Sequence, residues 1–340
     1  MKKVVFAGSS INDYCLEASY RRAFQRLGFE VHWFDTVATQ QKYVRLGKVG
    51  QYINSFIGIN AWIKKMQREF VVQVKSIDPD LVIVFCNAPI HVNALAFLKS
   101  IIKGKIILLW PDTLFNISAH VATAAPLYDG LASYSRDAIP VFKQMGFSNV
   151  HWVPLAADEA LHGGFDLPQH FEHDVIFIGN PRPERIKALE SISKNFPTLK
   201  LGIYGAEWAK SNSNELKPHI VSRHLFGNEF ARLMNQSRIA MNIIDDTNYP
   251  AANMRFFEAC VAKSLQLSSK CPEWEDEYID SKHLLYFNNE EDLCTKIESA
   301  LSNEKRCLAI RKSGYQITVD KNTYLHRAQS IIDLFLQTTT

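Results

Sequence analysis

The sequence predicts an α/β protein built from two Rossmann-like domains in tandem, each with a parallel sheet. Its length of 340 residues suits two domains of roughly 150 residues each. Short apolar runs alternate with helical patterns along both halves, which is typical of parallel strands joined by helical crossovers. A looser stretch, Asp158–His173, separates the two series. We therefore expect an N-terminal domain at 1–165, a C-terminal domain at 170–320 and a final helix at 321–340.

The first series opens with an apolar strand at Lys3–Ala7. A helix follows it, because apolar residues recur every three to four positions from Leu16 to Leu27, and Gly28 is a typical helix stop. The later apolar runs are nearly continuous, which indicates strands covered on both faces of a sheet. These strands are predicted at Val31–Phe34, Leu81–Cys86, Lys105–Trp110, Leu131–Tyr134 and Val150–Val153.

The second series shows the same alternation of strands and helices. Strands are predicted at Asp174–Ile178, Leu201–Tyr204, His219–Phe226, Arg238–Ile243 and Ser264–Ser268, and helices at Glu184–Lys194, Glu229–Gln236 and Ala252–Val261. Apolar stripes after Glu290 predict a helical C-terminal end, with a last helix at Tyr324–Leu336. A second parallel sheet therefore follows the first along the chain.

Composition and charge argue against several classes of function. Lys and Arg number 38 against 35 Asp and Glu, so the net charge of +3 is too even to suggest nucleic-acid binding. The six cysteines form no C-x-x-C pair and no zinc-ligand spacing, which favours free thiols in a reducing cytoplasm. No apolar stretch reaches 18 residues, so we expect neither a membrane span nor a secretory signal.

One segment has a composition that is compatible with peripheral binding to a membrane. A helix expected between Ser55 and Phe70 carries Trp62 and Ile63 beside Lys64 and Lys65, a mixture suited to peripheral association with the inner face of a membrane. The same face would equally serve to dock the helix on its own domain.

Ligands of open parallel sheets bind beyond the carboxyl ends of the strands, so the residues that follow strands are the first candidates for a site. Gly8, Ser9 and Ser10 follow the first strand, and their small side chains would let a ligand approach the backbone. The chain contains no G-x-G-x-x-G sequence, so an ordinary tight turn explains these residues as well.

A second candidate follows the strand Asp174–Ile178. Gly179 starts a turn that carries Arg182 and Arg185 into the next helix. Guanidinium groups at a helix N-terminus suit a diphosphate, because both supply positive charge and hydrogen-bond donors. A surface loop with solvated arginines is the alternative.

The stretch 242–260 holds the third candidate. A polar loop after a strand leads into a helix in which Glu258 stands among apolar residues. An ionised carboxylate is costly there unless something donates hydrogen bonds to it. Two ribose hydroxyls would satisfy it, and so would a neighbouring arginine in a purely structural role.

Short motifs occur along nearly the whole chain and are most specific near its C-terminal end. They are Asp78-Pro79-Asp80-Leu81, Trp110-Pro111-Asp112, Tyr128-Asp129-Gly130, Phe177-Ile178-Gly179 with Arg185, Tyr204-Gly205 with Trp208, Gly227 with Ser237 to Asn242, Asn253 to Cys260, Leu265 and Leu267, Tyr286-Phe287 with Glu291 and Leu293, Ile310 with Gly314, and Thr323-Tyr324 with Arg327. Together these motifs resemble the CgeB-like, or spore-maturation type, glycosyltransferases of the GT-B fold.

The resemblance implies two Rossmann-like domains that face each other across a cleft, with the C-terminal helix returning to the N-terminal domain. It implies transfer of a hexose from a UDP- or GDP-linked sugar to a hydroxyl acceptor, such as a glycan, a lipid-linked group or a protein. Cell-surface polysaccharide synthesis and a retaining mechanism without a cofactor are the corresponding expectations. The resemblance leaves open the base, the sugar, the acceptor and the oligomeric state.

The family pattern also implies roles for single residues. Glu258 would hold the donor ribose, Asn253 and Arg255 would lie along the donor, and Arg182 or Arg185 would meet its phosphates. The strand end at Leu225–Gly227 would lie beside the base. The full expected donor set is Gly179, Arg182, Arg185, Tyr204, Phe226, Gly227, Asn253, Met254, Arg255 and Glu258, with Gly8, Ser9 and Ser10 on the acceptor side.

Two departures from the family pattern bear on these expectations. Pro250 stands where many retaining relatives have a second glutamate, and Ala262-Lys263 stands where a glycine is usual. They keep open a sugar- or partner-binding module that has lost activity. A nucleotide-sugar epimerase of the same fold is the other alternative, since it would work on the donor alone.

We expect no metal ion, and two residues of the N-terminal half are candidates for catalytic groups. Asp78-Pro79-Asp80 has the letters of a metal clamp, but it precedes a strand and is typical of a helix-to-strand turn. His91 and Asp112 follow strands of the N-terminal half, where the acceptor would bind. His91 is a candidate base and Asp112 a candidate for orienting a hydroxyl, although both residue types also occur as helix caps or solvated side chains.

Overall fold

The chain folds into two compact α/β units, as seen in a computed structural model that describes residues 1–9, 12–44, 47, 49–50, 52–53 and 60–336. The first unit comprises Met1–Pro154 together with Leu325–Thr340, and the second comprises Leu155–Tyr324. Ser10, expected on the acceptor side, lies outside the described residues. Each unit contains a six-stranded parallel sheet, which confirms the predicted fold class.

The sheet of the first unit has the strand order β2-β1-β3-β4-β5-β6. Helices connect successive strands, because parallel neighbours can be joined only by crossovers. The strands are β1 (Lys3–Gly8), β2 (Glu30–Asp35), β3 (Leu81–Phe85), β4 (Lys105–Trp110), β5 (Gly130–Ser133) and β6 (Val150–Trp152). The helices are α1 (Leu16–Arg26), α2 (Thr36–Gln41), α3 (Asn60–Ile77), α4 (Val92–Ile101), α5 (Ala119–Ala124) and α6 (Ala138–Gln144).

The sheet of the second unit has the order β12-β11-β10-β7-β8-β9. Its strands are β7 (His173–Ile178), β8 (Leu201–Tyr204), β9 (Ile220–Val221), β10 (Ser237–Asn242), β11 (Gln266–Ser269) and β12 (Leu285–Phe287). Its helices are α7 (Glu159–His162), α8 (Pro183–Asn195), α9 (Gly227–Asn235), α10 (Met254–Val261), α11 (Glu290–Ser302) and α12 (Glu304–Lys321). Helix α13 (Tyr324–Phe335) then carries the chain back into the first unit.

Buried apolar strands account for the two cores. All five residues of β3 are buried, as are the last five of β4, because helices cover both faces of the sheet. Helix α1 packs its apolar face on this sheet, with the Phe24 ring 5.4 Å from the Phe6 ring. Burial of such side chains supplies most of the driving force for each unit.

Helix α13 returns to the first unit, as the fold prediction expected. The Arg327 Nε donates a hydrogen bond to the carbonyl oxygen of Pro154 at 3.1 Å. The Phe335 ring lies so close to Gly130 that a Cβ at that glycine would overlap it. The small residue at the start of β5 therefore makes room for the end of the chain.

The sequence prediction differs from the structure in two strands. The predicted strand His219–Phe226 shortens to β9, because it lies at the sheet edge and the residues after Val221 are mostly polar and exposed. Strand β12 was not predicted, since its three apolar residues are too few to show a period. Residues 158–173, expected as a linker, lie in the second unit and contain α7.

Of the segment considered for membrane contact, residues 60–70 lie on α3, and residues 55–59 lie outside the described residues. Ile63 packs against the core of the first unit, whereas Lys64 and Lys65 are exposed. Among the described helices, none combines the length and apolar character that crossing a membrane requires.

Candidate functional site

The strand order of the second unit places a crevice between β7 and β10. The chain runs outward from β7 to β8 and β9, then returns to the other side of β7 to form β10. Connections that leave two adjacent strands in opposite directions open a gap at their carboxyl ends, where ligands of such sheets bind. Gly179 follows β7 at this point, and residues 243–245 follow β10.

Arg185 ties the two strand ends together. Its Nη2 lies 2.9 Å from Asp245 Oδ2, its Nε donates to the Ile243 carbonyl oxygen at 3.2 Å and its Nη1 donates to the Asn180 carbonyl oxygen at 3.1 Å. Burial lowers the pKa of Arg185, although Asp245 opposes that change. The side chain is 8% exposed, so Arg185 acts mainly as an anchor that shapes the crevice.

Asp245 is held ionised beside Arg185. Burial alone would raise its pKa, but hydrogen bonds from Thr247 and Asn248 and the charge of Arg185 outweigh burial, and the net pKa lies below its ordinary value. The Thr247 and Asn248 side chains both donate to Asp245 Oδ1 at 2.7 Å. Asp245 thereby fixes the loop that leads from β10 toward α10.

Arg182 stands at the open side of the crevice. It is the N-cap residue of α8, its side chain is exposed, and α8 has no side-chain cap. The first turn of a helix without a side-chain cap presents N–H groups that can bind an anion. Of the two arginines proposed for phosphate, Arg182 is therefore the more accessible.

A tight glycine contact shapes the floor of the crevice. The Gly179 N–H donates to the Tyr204 carbonyl oxygen at 2.9 Å, and the Gly179 carbonyl oxygen accepts from Trp208 Nε1 at 2.6 Å. Gly205 has φ +151°, and a Cβ there would lie 2.5 Å from the Gly179 carbonyl oxygen. The Tyr204 hydroxyl is 3.0 Å from His173 Nε2, so its polar end is engaged within the protein.

We expect Gly205→Ala to lower the free energy of unfolding by about 2–5 kcal/mol, since the backbone strain and the overlap with Gly179 add. Urea denaturation measures the effect. Gly164→Ala is the matched control, because Gly164 also has positive φ (+83°) but no atom within 4 Å of the added Cβ. Equal losses in the two variants would show that the contact with Gly179 contributes nothing.

Asn253 is used within the protein as the N-cap of α10. Its Oδ1 accepts from the Phe256 N–H at 3.1 Å, and its Nδ2 donates to Asn242 Oδ1 at 2.9 Å. The Asn242 Nδ2 in turn donates to Ser268 Oγ at 3.3 Å. This chain of amides fixes the start of α10, and with it Met254, to the ends of β10 and β11.

Arg255 and Glu258 lie one turn apart on α10, so they share a face of that helix. The Arg255 Nη1 and Nη2 atoms are each 3.4 Å from the position that a Cβ at Gly179 would occupy. Its buried Nε has no hydrogen-bond partner among the described residues. Burial, together with the charge of Arg185, lowers the pKa of Arg255 to about 10, although Glu258 and Asp245 oppose the shift.

Glu258 is a buried carboxylate with unused hydrogen-bonding capacity. The residue is 8% exposed, yet in the described part of the chain no donor bonds to its carboxylate. Its Oε1 lies 3.8 Å from His162 Nε2. His162 was not among the predicted residues, because it lies 96 positions before Glu258 in the segment taken as a linker.

Phe226 and Gly227 lie at the N-terminus of α9 and not at a strand end, which corrects the expectation from the family pattern. Phe226 is 54% exposed, and its ring stacks on His224 with the centroids 5.7 Å apart. Gly227 starts the helix at φ +52°, a left-handed conformation that suits glycine. The expectation that Phe226 lies beside the base stays a prediction.

The turn after α10 has Lys263 in a left-handed conformation. Lys263 has φ +53°, its Nζ donates to the Phe165 carbonyl oxygen at 2.6 Å, and the same atom lies 4.8 Å from the centre of the Tyr315 ring. These side-chain contacts offset the strain of a left-handed lysine.

In the first unit, Gly8 ends β1 at the carboxyl edge of the sheet and Ser9 follows it. A Cβ at Gly8 would lie 3.2 Å from Glu17 Oε1, so the glycine admits that carboxylate to the edge. Burial raises the pKa of Glu17. Glu17 was not among the predicted residues, because a glutamate in the first helical turn is common.

His91 and Asp112 occupy separate loops of the first unit. His91 is the N-cap residue of α4, and its ring lies 5.0 Å from that of His120, a neighbour that the sequence did not indicate. Burial lowers the pKa of both histidines. Asp112 accepts from the Thr113 N–H and from Asn116 Nδ2, each at 2.8 Å, and thus holds its own loop.

A cavity of about 640 Å³ in the first unit lies away from these residues. Its lining includes Lys2, Asp80, Lys105 and Asp129, which precede or start strands at the amino ends of the sheet. Ligands of open parallel sheets bind at the opposite edge, so we give more weight to the carboxyl ends. Among the described residues, no group of three or more His, Cys, Asp or Glu side chains is arranged to hold a metal ion.

Comparison with known proteins finds similarity over the C-terminal half of the chain. Residues 183–333 match the model of a family described as glycosyl transferase-like. The spore protein CgeB of Bacillus subtilis is 22% identical over 159 residues, which make up 46% of this chain and 49% of CgeB. The matched region thus spans about half the length of that curated relative, and it confirms the resemblance to CgeB-like proteins over part of the chain.

Solved structures resemble the chain over almost its full length. Anabaena HepE in complex with UDP and glucose has a TM-score of 0.68 at 13% identity, covering 98% of this chain and 99% of HepE. A glycosyltransferase from Rickettsia africae has a TM-score of 0.70 at 10% identity, covering 98% and 97%. Sucrose-phosphate synthase from Thermosynechococcus elongatus has 0.65 at 11% identity, covering 99% of both chains. The chain therefore has the GT-B fold, and its residues 183–333 match a family described as glycosyl transferase-like.

Proposed function

We propose that this protein is a glycosyltransferase that moves a sugar from a nucleoside diphosphate sugar to a hydroxyl acceptor. The observation that carries the proposal is the pair Arg255 and Glu258 on α10, beside the crevice between β7 and β10. Both side chains are largely shielded from water and have unused hydrogen-bonding groups. Buried polar groups without partners are uncommon in folded proteins and are expected where a ligand completes them.

Glu258 suits the ribose of the donor. An ionised carboxylate accepts hydrogen bonds only, and vicinal ribose hydroxyls donate two of them in a matching geometry. Charge-assisted bonds of this kind are stronger than bonds between neutral groups. Anabaena HepE, which shares the fold, was solved with UDP and with UDP-glucose, so UDP is the first nucleotide to test.

Arg182 and Arg255 suit the diphosphate. Arg182 is exposed at the uncapped start of α8, and Arg255 has donors facing the turn at Gly179. Guanidinium groups bind phosphate through paired N–H donors, and the helix dipole adds positive potential. These groups would also stabilise the negative charge that develops on the leaving diphosphate.

We expect the reaction to need no metal ion, because arginines and helix N–H groups supply the charge that a cation would otherwise provide. Treatment with EDTA followed by desalting should leave the transfer rate within twofold of the untreated value. Added Mg²⁺ or Mn²⁺ should not raise it. A loss above tenfold that Mn²⁺ restores would contradict this expectation.

Transfer itself is tested with a panel of donors and acceptors. Thermal shifts with UDP, GDP and ADP identify the nucleotide, and mass spectrometry of reactions with the matching sugar nucleotides detects a glycosylated product. An epimerised sugar nucleotide formed without acceptor would favour the epimerase alternative. Nucleotide binding without turnover across a broad acceptor set would favour a binding module.

The resemblance to retaining enzymes further suggests that the product keeps the anomeric configuration of the donor. In that case the donor phosphate itself would take the proton of the acceptor hydroxyl, and His91 and Asp112 would serve to bind the acceptor. NMR coupling constants of the isolated product determine the outcome. The opposite anomer would overturn the retaining assignment without affecting the transferase assignment.

A further inference from the structure

His162 is a buried polar residue that none of the proposed donor contacts uses. It ends α7, a helix of the segment between the start of the second unit and β7. The residue is 6% exposed, and its ring lies 5.6 Å from the Phe230 ring of α9. It therefore occupies a defined position against the helices of its own unit.

Hydrogen bonds and packing contacts fix the backbone next to His162. The Gly163 N–H donates to the Glu159 carbonyl oxygen at 2.9 Å, and a Cβ at Gly163 would lie 3.4 Å from Val261 Cγ1 of α10. Further along, the carbonyl oxygen of Asp166 accepts from Asn235 Nδ2 at 3.1 Å. These contacts therefore fix the position of the His162 imidazole within the second unit.

The polar atoms of His162 have no hydrogen-bond partner in the described part of the chain. Its Nδ1 is buried and unpaired, and its Nε2 is 3.8 Å from Glu258 Oε1, beyond hydrogen-bond length. A buried imidazole left in this state costs free energy. Hydrogen bonds at ligand sites are often long without the ligand and shorten when it binds.

We propose that His162 is a positioning residue of the ribose site: its Nε2–H fixes the Glu258 carboxylate in the orientation that accepts both ribose hydroxyls. The inference rests on the proposed nucleotide-sugar function. It assigns to the segment before β7 a part in donor recognition, because a hydrogen bond from the imidazole would restrict rotation of a carboxylate to which no described residue donates one. A carboxylate oriented in advance loses less conformational entropy when the donor binds.

The test measures by isothermal titration calorimetry how much more tightly each variant binds UDP than 2′-deoxy-UDP. If GDP or ADP binds better than UDP, that nucleotide and its deoxy form are used instead. The parent should prefer the ribose form by about tenfold, the value of one charge-assisted hydrogen bond. His162→Phe keeps the ring contact with Phe230 but has no donor, and it should reduce the preference below threefold. His162→Gln places an amide nitrogen near the former Nε2 and should restore it, whereas His162→Asn, whose amide lies near the former Nδ1, should not.

A merely structural role would give a different pattern. It would lower the unfolding temperature of the variants and leave the preference for ribose unchanged, and this result would overturn the inference. The variant Glu258→Gln adds a second check, because His162→Phe should cause no further loss in that background. If the parent binds a nucleoside diphosphate and His162→Phe prefers the ribose form as strongly, only the role of His162 is contradicted. If the parent binds no nucleoside diphosphate, the proposed function is contradicted as well.

Discussion

Replacing Glu258 with alanine should weaken nucleoside diphosphate binding by roughly 100-fold or more, because the ribose hydroxyls lose two hydrogen bonds to a charged acceptor, each worth about 1.5–3 kcal/mol. Glu258→Gln should fall between the parent and Glu258→Ala, since the amide keeps one acceptor oxygen. Calorimetry with UDP, GDP and ADP measures the affinity. Transfer rates at low donor concentration should fall by at least the same factor.

Glu298→Ala is the control for the loss of a negative charge. Glu298 is exposed on α11 and belongs to the same unit, so its removal should change affinity less than twofold. Unfolding curves without nucleotide check that Glu258→Ala still folds. If Glu258→Ala bound each nucleotide as tightly as the parent does, the ribose assignment would be wrong.

The second large effect is expected at Arg311, where substitution by methionine should lower the free energy of unfolding of the second unit by about 3–5 kcal/mol. Its guanidinium is 2% exposed and donates to four carbonyl oxygens, those of Asn235, Ser237, Arg238 and Lys263. Among the described residues, no carboxylate lies within ion-pair distance. The four carbonyls would lose a charged donor while remaining buried.

The unfolding temperature should fall by roughly 10 °C for a unit of this size. Arg306→Met is the matched control, because Arg306 is exposed on the same helix, α12, and should shift the temperature by less than 2 °C. Burial lowers the pKa of Arg311 to about 10, so the guanidinium keeps its charge at neutral pH. Equal shifts in the two variants would mean that the buried hydrogen bonds of Arg311 contribute little.

Arg311 has a structural role that cannot be recognised from the sequence. The match to the glycosyl transferase-like family spans this residue, yet nothing in the sequence indicates four carbonyl partners that lie 48 to 76 positions earlier. Gly314 is similar, because a Cβ there would overlap the His283 carbonyl oxygen. Both positions are constrained by contacts between elements distant in the chain.

The candidate site was predictable where a side chain follows a strand or stands in an unusual place on a helix. Glu258 was singled out because a carboxylate within an apolar helix requires a partner, whereas Arg255 was named only by the family resemblance. Arg182 and Arg185 could not be told apart from the sequence, since both occupy the same turn. Their roles separate only in the structure, where Asp245 binds Arg185 and leaves Arg182 exposed.

By itself, the sequence determined the tandem α/β architecture and the helix that carries Glu258. Those features follow from local periodicity and from the cost of burying charge, both of which are properties of neighbouring residues. The tertiary structure alone decided that Asn253 caps its helix, that α9 and not a strand begins at Gly227, and that His162 lies 3.8 Å from Glu258. These facts depend on strand order and on contacts across long stretches of chain, for which the loop-closure entropy is offset only when the whole unit folds.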